Sequence, residues 1–237
     1  MRKSLKDFGK KFLNLFLGEV CIGCRKEGKM ICEECEKEIK DTKRNKNIET
    51  VSWIYSPLSY KNKIVRQALF LLKYSYVTNV SKYLAKIVSK DFLFFLKDKI
   101  EENKLDYKNL LILPIPISKK RLLERNYNQS EVLIKDILLE IKEKYNLDLN
   151  PNLFVDFLLK TKHTTKFAKT HSHTDREKLI RNIFAVNEKY KEDFLKEKII
   201  FLIDDITTTG VTFYEARNEL IKNGFQKEKI FGFAIAH

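Results

Sequence analysis

The most constraining stretch of this 237-residue chain is Ile199-Ile200-Phe201-Leu202-Ile203-Asp204-Asp205. Five consecutive apolar residues that stop at two acids read as a strand buried on both faces. Such strands occur in parallel sheets covered by helices. The pattern then changes period. Residues 211–223 read as the following helix, with Gly224 as its C′ residue. Upstream, Leu110 to Ile117 (LLILPIPI) reads as a short buried strand ending at two prolines, and Gln129–Tyr145 as a helix. Residues 80–99 form a second, strongly apolar helical segment. Residues 61–72 place Ile64, Ala68, Leu71 and Leu72 on one helical side. Residues 51–60 read as a strand or hairpin broken at Pro57, and Ile230–Ala236 as a last strand. Strands alternating with long helices predict an α/β domain with a mostly parallel sheet flanked by helices.

All four cysteines sit outside that pattern, within fifteen residues: Cys21-Ile-Gly-Cys24 and Cys32-Glu-Glu-Cys35. Two C-x-x-C knuckles let four thiolates converge on one zinc ion at about 2.3 Å with tetrahedral geometry. Two disulfides, a redox pair or an iron–sulfur cluster are the competing uses. Four protein thiolates leave no open position for substrate, so the zinc would be structural, holding a module too small for its own core. A short helix is expected from Glu36 onward. Residues 1–20 carry Leu5, Phe8, Phe12, Leu15 and Phe16 at helical spacing, an amphipathic helix that packs on its own protein or lies on a membrane surface. Residues 40–49 are polar and read as a linker. The expected division is 1–45, an amphipathic helix with the four-cysteine zinc finger, and 46–237, the α/β domain.

Composition narrows the function classes. Hydrophobic residues make up 43% and charged residues 33% of the chain, which excludes a disordered chain. No apolar run approaches the ~18 residues of a transmembrane helix. No secretory leader is legible, so a cytoplasmic location is expected. Lys+Arg exceeds Asp+Glu by 46 to 32, a net charge of +14. Such a field attracts polyanions, though the basic residues are spread along the chain rather than blocked.

The chemistry concentrates in Asp204-Asp205-Ile206-Thr207-Thr208-Thr209-Gly210-Val211-Thr212. A buried strand delivers two carboxylates at its C-terminal edge, where open α/β sheets bind ligands. A hydroxyl-rich loop and a helix start follow, offering free N–H groups and a positive dipole end to a phosphate. The acids would repel that phosphate and need another partner, sugar hydroxyls or hydrated Mg²⁺. Together the demands describe a sugar phosphate. An acidic pair serving only to cap the helix leaves the buried strand and the threonine run unexplained.

This stretch resembles the phosphoribosyl-pyrophosphate (PRPP) signature of type I phosphoribosyltransferases, with Thr207 where an aliphatic residue is usual. The order of zinc knuckles, Leu72-Lys73-Tyr74, Leu113-Pro114-Ile115-Pro116, Arg125-Asn126-Tyr127-Asn128-Gln129 and the PRPP signature is similar to the ComF/GntX family, from Cys21 onward. That family includes competence proteins needed for DNA uptake in natural transformation. The resemblance implies a type I phosphoribosyltransferase-like fold. It gives Asp204 and Asp205 the ribose hydroxyls and the catalytic role, and Thr207 to Thr212 the 5′-phosphate. Lys73, Pro116 and Arg125 would lie on the pyrophosphate side with Mg²⁺, beside the basic Lys119, Lys120 and Arg121. It further implies single-stranded DNA and the DNA-uptake machinery as partners. Turnover would be phosphoribosyl transfer with release of pyrophosphate. The alternatives are a non-catalytic DNA-binding protein regulated by PRPP or a nucleotide, and a nucleotide-salvage phosphoribosyltransferase. Tyr74, Tyr127 and Trp53 could stack bases. The polar residues 160–183 resemble the hood loop of related transferases, with Phe167 where the family has Gln. His171 and His173, lacking nearby acids or cysteines, read as solvent-exposed loop residues rather than metal ligands.

Overall fold

The computed structural model describes residues 20–42, 52–75, 77–161, 183–190 and 197–237. Its centre is a parallel sheet of β1 (Ile54–Tyr55), β2 (Leu110–Pro114), β5 (Ile199–Ile206) and β6 (Ile230–Ala236), in the order β1-β6-β5-β2. The apolar run of β5 is buried along its length, as expected of a strand flanked on both sides. Its register places Ile203 beside Pro114 on one side and Phe233 on the other.

Helices cover both faces of the sheet. Phe201, Phe231 and Phe233 alternate with Gly232 and project to one face. There they meet Phe92 and Phe95 of α3 (Val80–Glu102) edge-on, with Phe92 4.9 Å from Phe233 between ring centroids. α5 (Gln129–Tyr145) packs beside α3 on this side, burying Leu133, Ile134, Ile137 and Ile141. On the other face α6 (Val211–Lys222) inserts Phe213 against Gly232. The step from β5 through α6 to β6 is therefore a βαβ unit with its helix between two hydrogen-bonded parallel strands.

Residues 52–60 do not form a hairpin. Ile54 and Tyr55 pair in parallel with Gly232 and Phe233, and after Pro57 the chain runs on beside β6 through Leu58 and Tyr60. Proline has no N–H to donate, so the ladder breaks there, but the direction does not reverse. A second, antiparallel sheet joins β3 (Leu158–Lys160) to β4 (Phe184–Val186). It brackets residues 162–182, so the hood-loop expectation and His171 and His173 lie outside the described residues. So do 1–19 and residues 43–49 of the linker expected at 40–49, whose residues 40–42 instead close a helix.

Helix α1 (Glu33–Asp41) begins inside the second cysteine knuckle, with Cys32 as its N-cap and Cys35 in its first turn, three residues before the expected start at Glu36. It is joined to α2 (Lys63–Tyr74) side by side: Asn62 Oδ1 caps α2 by accepting from Ile64 and Val65 N–H, while its Nδ2 donates to Thr42 Oγ1 just past α1. Lys86 of α3 reaches Glu36 of α1 at 3.2 Å. The cysteine segment is thereby seated on the start of α2. A short helix α4 (Lys119–Arg125) completes the set.

Candidate functional site

Four elements converge at the C-terminal edge of β5. Asp204 and Asp205 end its apolar run and are both buried. Lys73, at the last turn of α2, places Nζ 2.5 Å from Asp205 Oδ2. Ser130, in the first turn of α5, donates its hydroxyl to Asp204 Oδ1 at 2.8 Å, and the Asp205 amide donates to the same oxygen at 2.9 Å. Two adjacent carboxyls out of water cannot both ionise cheaply. Burial first, and the Asp205 charge second, push the Asp204 carboxyl up to about 7, against the pull of Lys73 and Ser130. Ser130 is held in place by Asn128, whose Oδ1 accepts from Ser130 N–H while its Nδ2 donates to the Ile115 carbonyl. Pro116 follows that carbonyl, half-buried, with Ile115 N–H bonded to Ile203 O at 2.8 Å.

Past the acids, Thr207 is buried and its N–H bonds to the Ala236 carbonyl at 3.0 Å. It occupies an inward position where an apolar residue would also fit, and its amide is committed to the sheet. The free amides begin at Thr208. Gly210 adopts φ +75° and starts α6, a conformation a β-carbon would strain. Among the described residues, no group accepts from the N–H of Thr208, Thr209, Gly210, Val211, Thr212 or Phe213. Thr208 and Thr209 are exposed, and Thr212 is half-exposed. Ile206 is half-buried, pairing with Ala236. His237 Nε2 donates to the Thr208 carbonyl at 3.0 Å, bracing the loop from β6.

Arg125 is nearly buried, donates to Gln129 Oε1 at 2.8 Å and lies 5.1 Å over the Tyr74 ring. Among the described residues no carboxylate pairs with it. Asn126 ends α4 in the left-handed conformation (φ 62°), which asparagine tolerates better than most residues. Lys160, on β3, was not legible as a site residue. Burial lowers its pKa, the Arg121 cation adds to the shift, and Asp204 opposes it, which places all three in one field. Ser130 was also missed; the only signal was its place in the helix start after Asn128. Of the three aromatics considered for stacking, Tyr74 is exposed, Trp53 is buried under Arg217, and Tyr127 gives its hydroxyl to the Leu72 carbonyl.

The four cysteine sulfurs lie within 4.8 Å of one another, none in a disulfide. Burial disfavours the Cys21 thiolate, but amide donation from Cys32, Cys24 and Gly23 outweighs it and brings its pKa down to about 6. A Cβ at Gly23 would stand 2.6 Å from Cys35 Sγ, so the cradle is shaped around the sulfurs. Donor set and spacing fit a zinc ion.

With this geometry in place, sequence comparison adds a relative. Competence protein F of Haemophilus influenzae is 30% identical to this chain over 125 residues. The two are homologues. The match covers 53% of this chain, which spans about half the length of that relative. No protein-family model matches the chain. Among the described residues no helix is long and apolar enough to cross a membrane.

Proposed function

We propose that this chain is a competence-type protein whose α/β domain binds PRPP with Mg²⁺ and whose partner is single-stranded DNA entering the cell. The observation that carries the ligand assignment is the convergence at β5. A buried carboxyl pair, positioned by Lys73 and Ser130, stands next to a loop and helix start with six free amides. The acids accept hydrogen bonds from the ribose hydroxyls. The Thr208–Thr212 amides and hydroxyls hold the 5′-phosphate. The donor set does not favour direct metal ligation, because Asp205 already faces an ammonium and Asp204 a hydroxyl donor. Magnesium would therefore be held through the ligand rather than by these carboxylates and would supply charge neutralisation there, with Arg125, Arg121 and Lys160 adding positive charge beside the Lys73–Asp205 pair.

A ligand so held is set up for displacement at the anomeric carbon. An acceptor's lone pair forms the new bond to C1, the C1–O bond breaks, and pyrophosphate leaves with its electron pair. Relationship to Competence protein F and the net charge of +14 support the DNA partner. Calorimetry with Mg²⁺ and PRPP, ribose 5-phosphate or pyrophosphate tests the pocket. PRPP should bind more tightly than either fragment, and Asp204→Asn with Asp205→Asn should weaken it at least about 100-fold, two charge-assisted hydrogen bonds being lost. Equal binding by wild type and the double variant would refute the assignment. Pyrophosphate release over a panel of bases and oligonucleotides separates turnover from regulatory binding.

A further inference from the structure

Helix α2 carries two faces of different use. One side buries Ile64, Val65, Ala68, Leu69, Leu71 and Leu72. The other exposes Lys63, Arg66, Phe70 and Tyr74 at spacings of three and four, a single stripe along the helix. Phe70 and Tyr74 are large aromatics left 55% and 61% exposed, with ring centroids 5.1 Å apart. Their exposure is not a by-product of poor packing, because the helix's apolar side is fully covered. From Arg66 to Tyr74 the stripe is about 12 Å long at 1.5 Å per residue.

Charge singles out what this stripe fits. The helix sequence KIVRQALFLLKY contains no acid, and among the described residues no carboxylate pairs with Lys63 or Arg66. At the far end Arg125 lies over the Tyr74 ring, and α4 adds Lys119, Lys120 and Arg121 against one acid, Glu124. Lys63 and Arg66, with no carboxylate partner among the described residues, interleaved with exposed aromatic rings match a strand whose phosphates are charged and whose bases are unstacked. A protein partner would instead favour an apolar centre depleted of charge. Lys73, the residue before Tyr74, turns instead to Asp205 of the carboxyl pair, so the stripe ends at the rim of the proposed PRPP pocket.

We infer that the Lys63–Arg66–Phe70–Tyr74 stripe is the single-stranded nucleic-acid track, with a base stacked on Phe70 and packed against the edge of Tyr74, and phosphates held by Lys63 and Arg66. This rests on the DNA partner proposed above and adds its location. The rings are too close to admit a base between them, which would need about 7 Å. A base therefore stacks on the outer face of Phe70, while Tyr74, with Arg125 5.1 Å over its ring, offers its exposed edge, and the track leads an unpaired end toward the pocket.

Fluorescence anisotropy with a labelled oligo-dT and with a duplex of equal length tests this, alongside PRPP calorimetry on the same variants. Wild type should prefer the single strand. Phe70→Ala should weaken it about tenfold, the effect of one lost stacking platform, with the salt dependence unchanged. Arg66→Gln should lower the slope of log affinity against log salt by about one. Both should leave PRPP binding and the melting temperature intact. At position 74, Tyr74→Ala should lose affinity while Tyr74→Phe retains it. Loss of PRPP binding alone would defeat the pocket and leave the track standing. Wild-type DNA affinity in Phe70→Ala, equal affinity for duplex and single strand, or a change of oligomeric state in place of a change in DNA binding would overturn the track.

Discussion

Asp204 is the residue on which pH should act. Folding raises its carboxyl from 3.8 to about 7, so the folded state holds this proton more tightly than the unfolded chain does. Its contribution to stability is present at low pH, declines above about 4 and is lost as the pH rises through 7, at most about 1.4 kcal/mol per pH unit. Urea unfolding at pH 5 and pH 8 should show that decline, and Asp204→Asn should flatten it. Ligand binding should run the other way. A carboxylate accepts from ribose hydroxyls more strongly than a carboxylic acid does, so PRPP affinity should rise through pH 7 in wild type and not in Asp204→Asn. Lys73 is the second sensitive residue. Lys73→Met strands Asp205, which is 3% exposed at the side chain, and should cost about 3 kcal/mol of stability. An unchanged urea midpoint would show that the pair is not what holds the acid.

At the scale of elements, α2 joins two ends of the molecule. Its first turn carries Ile64, against which Gly23 of the cysteine segment packs, and its last turn carries Lys73. Gly23→Ala would drive a methyl to within 2.6 Å of Cys35 Sγ and 3.0 Å of Ile64 Cδ1. Purified Gly23→Ala should therefore carry less than the roughly one zinc per chain expected of wild type. Stripping zinc with a chelator should lower the melting temperature and weaken PRPP binding through the shifted helix. A metal-free protein of full stability would contradict this. Elements with a long unbroken pattern were legible in the sequence. Helix α5 and strand β6 fall on the expected bounds, and β5 extends one residue beyond them. Strands β3 and β4 were not legible, because three-residue strands hold too few residues for a period of two to register. Segment 51–60 was ambiguous for a related reason: Pro57 marks a break in a ladder without saying whether the chain turns back.

The whole molecule shows what a linear pattern can and cannot convey. The Asp204–Asp205 pair and the threonine loop are contiguous, so their meeting at one strand end was legible directly. Ser130 and Lys160 reach the same place from other elements, 74 and 44 residues away in the chain. Nothing local marks either as a site residue. The net charge of +14 was visible at once, but its use depends on where cations meet exposed rings, and only the folded surface brings those together. The proposed ligand is a phosphorylated pentose at the edge of β5, with the proposed DNA track running up to it. A crystal structure grown with Mg²⁺ and PRPP tests that placement most directly. It should show the ribose hydroxyls on Asp204 and Asp205 and the 5′-phosphate against the amides of Thr208 to Thr212. Density for the ligand at any other edge of the sheet, with that loop unengaged, would contradict it.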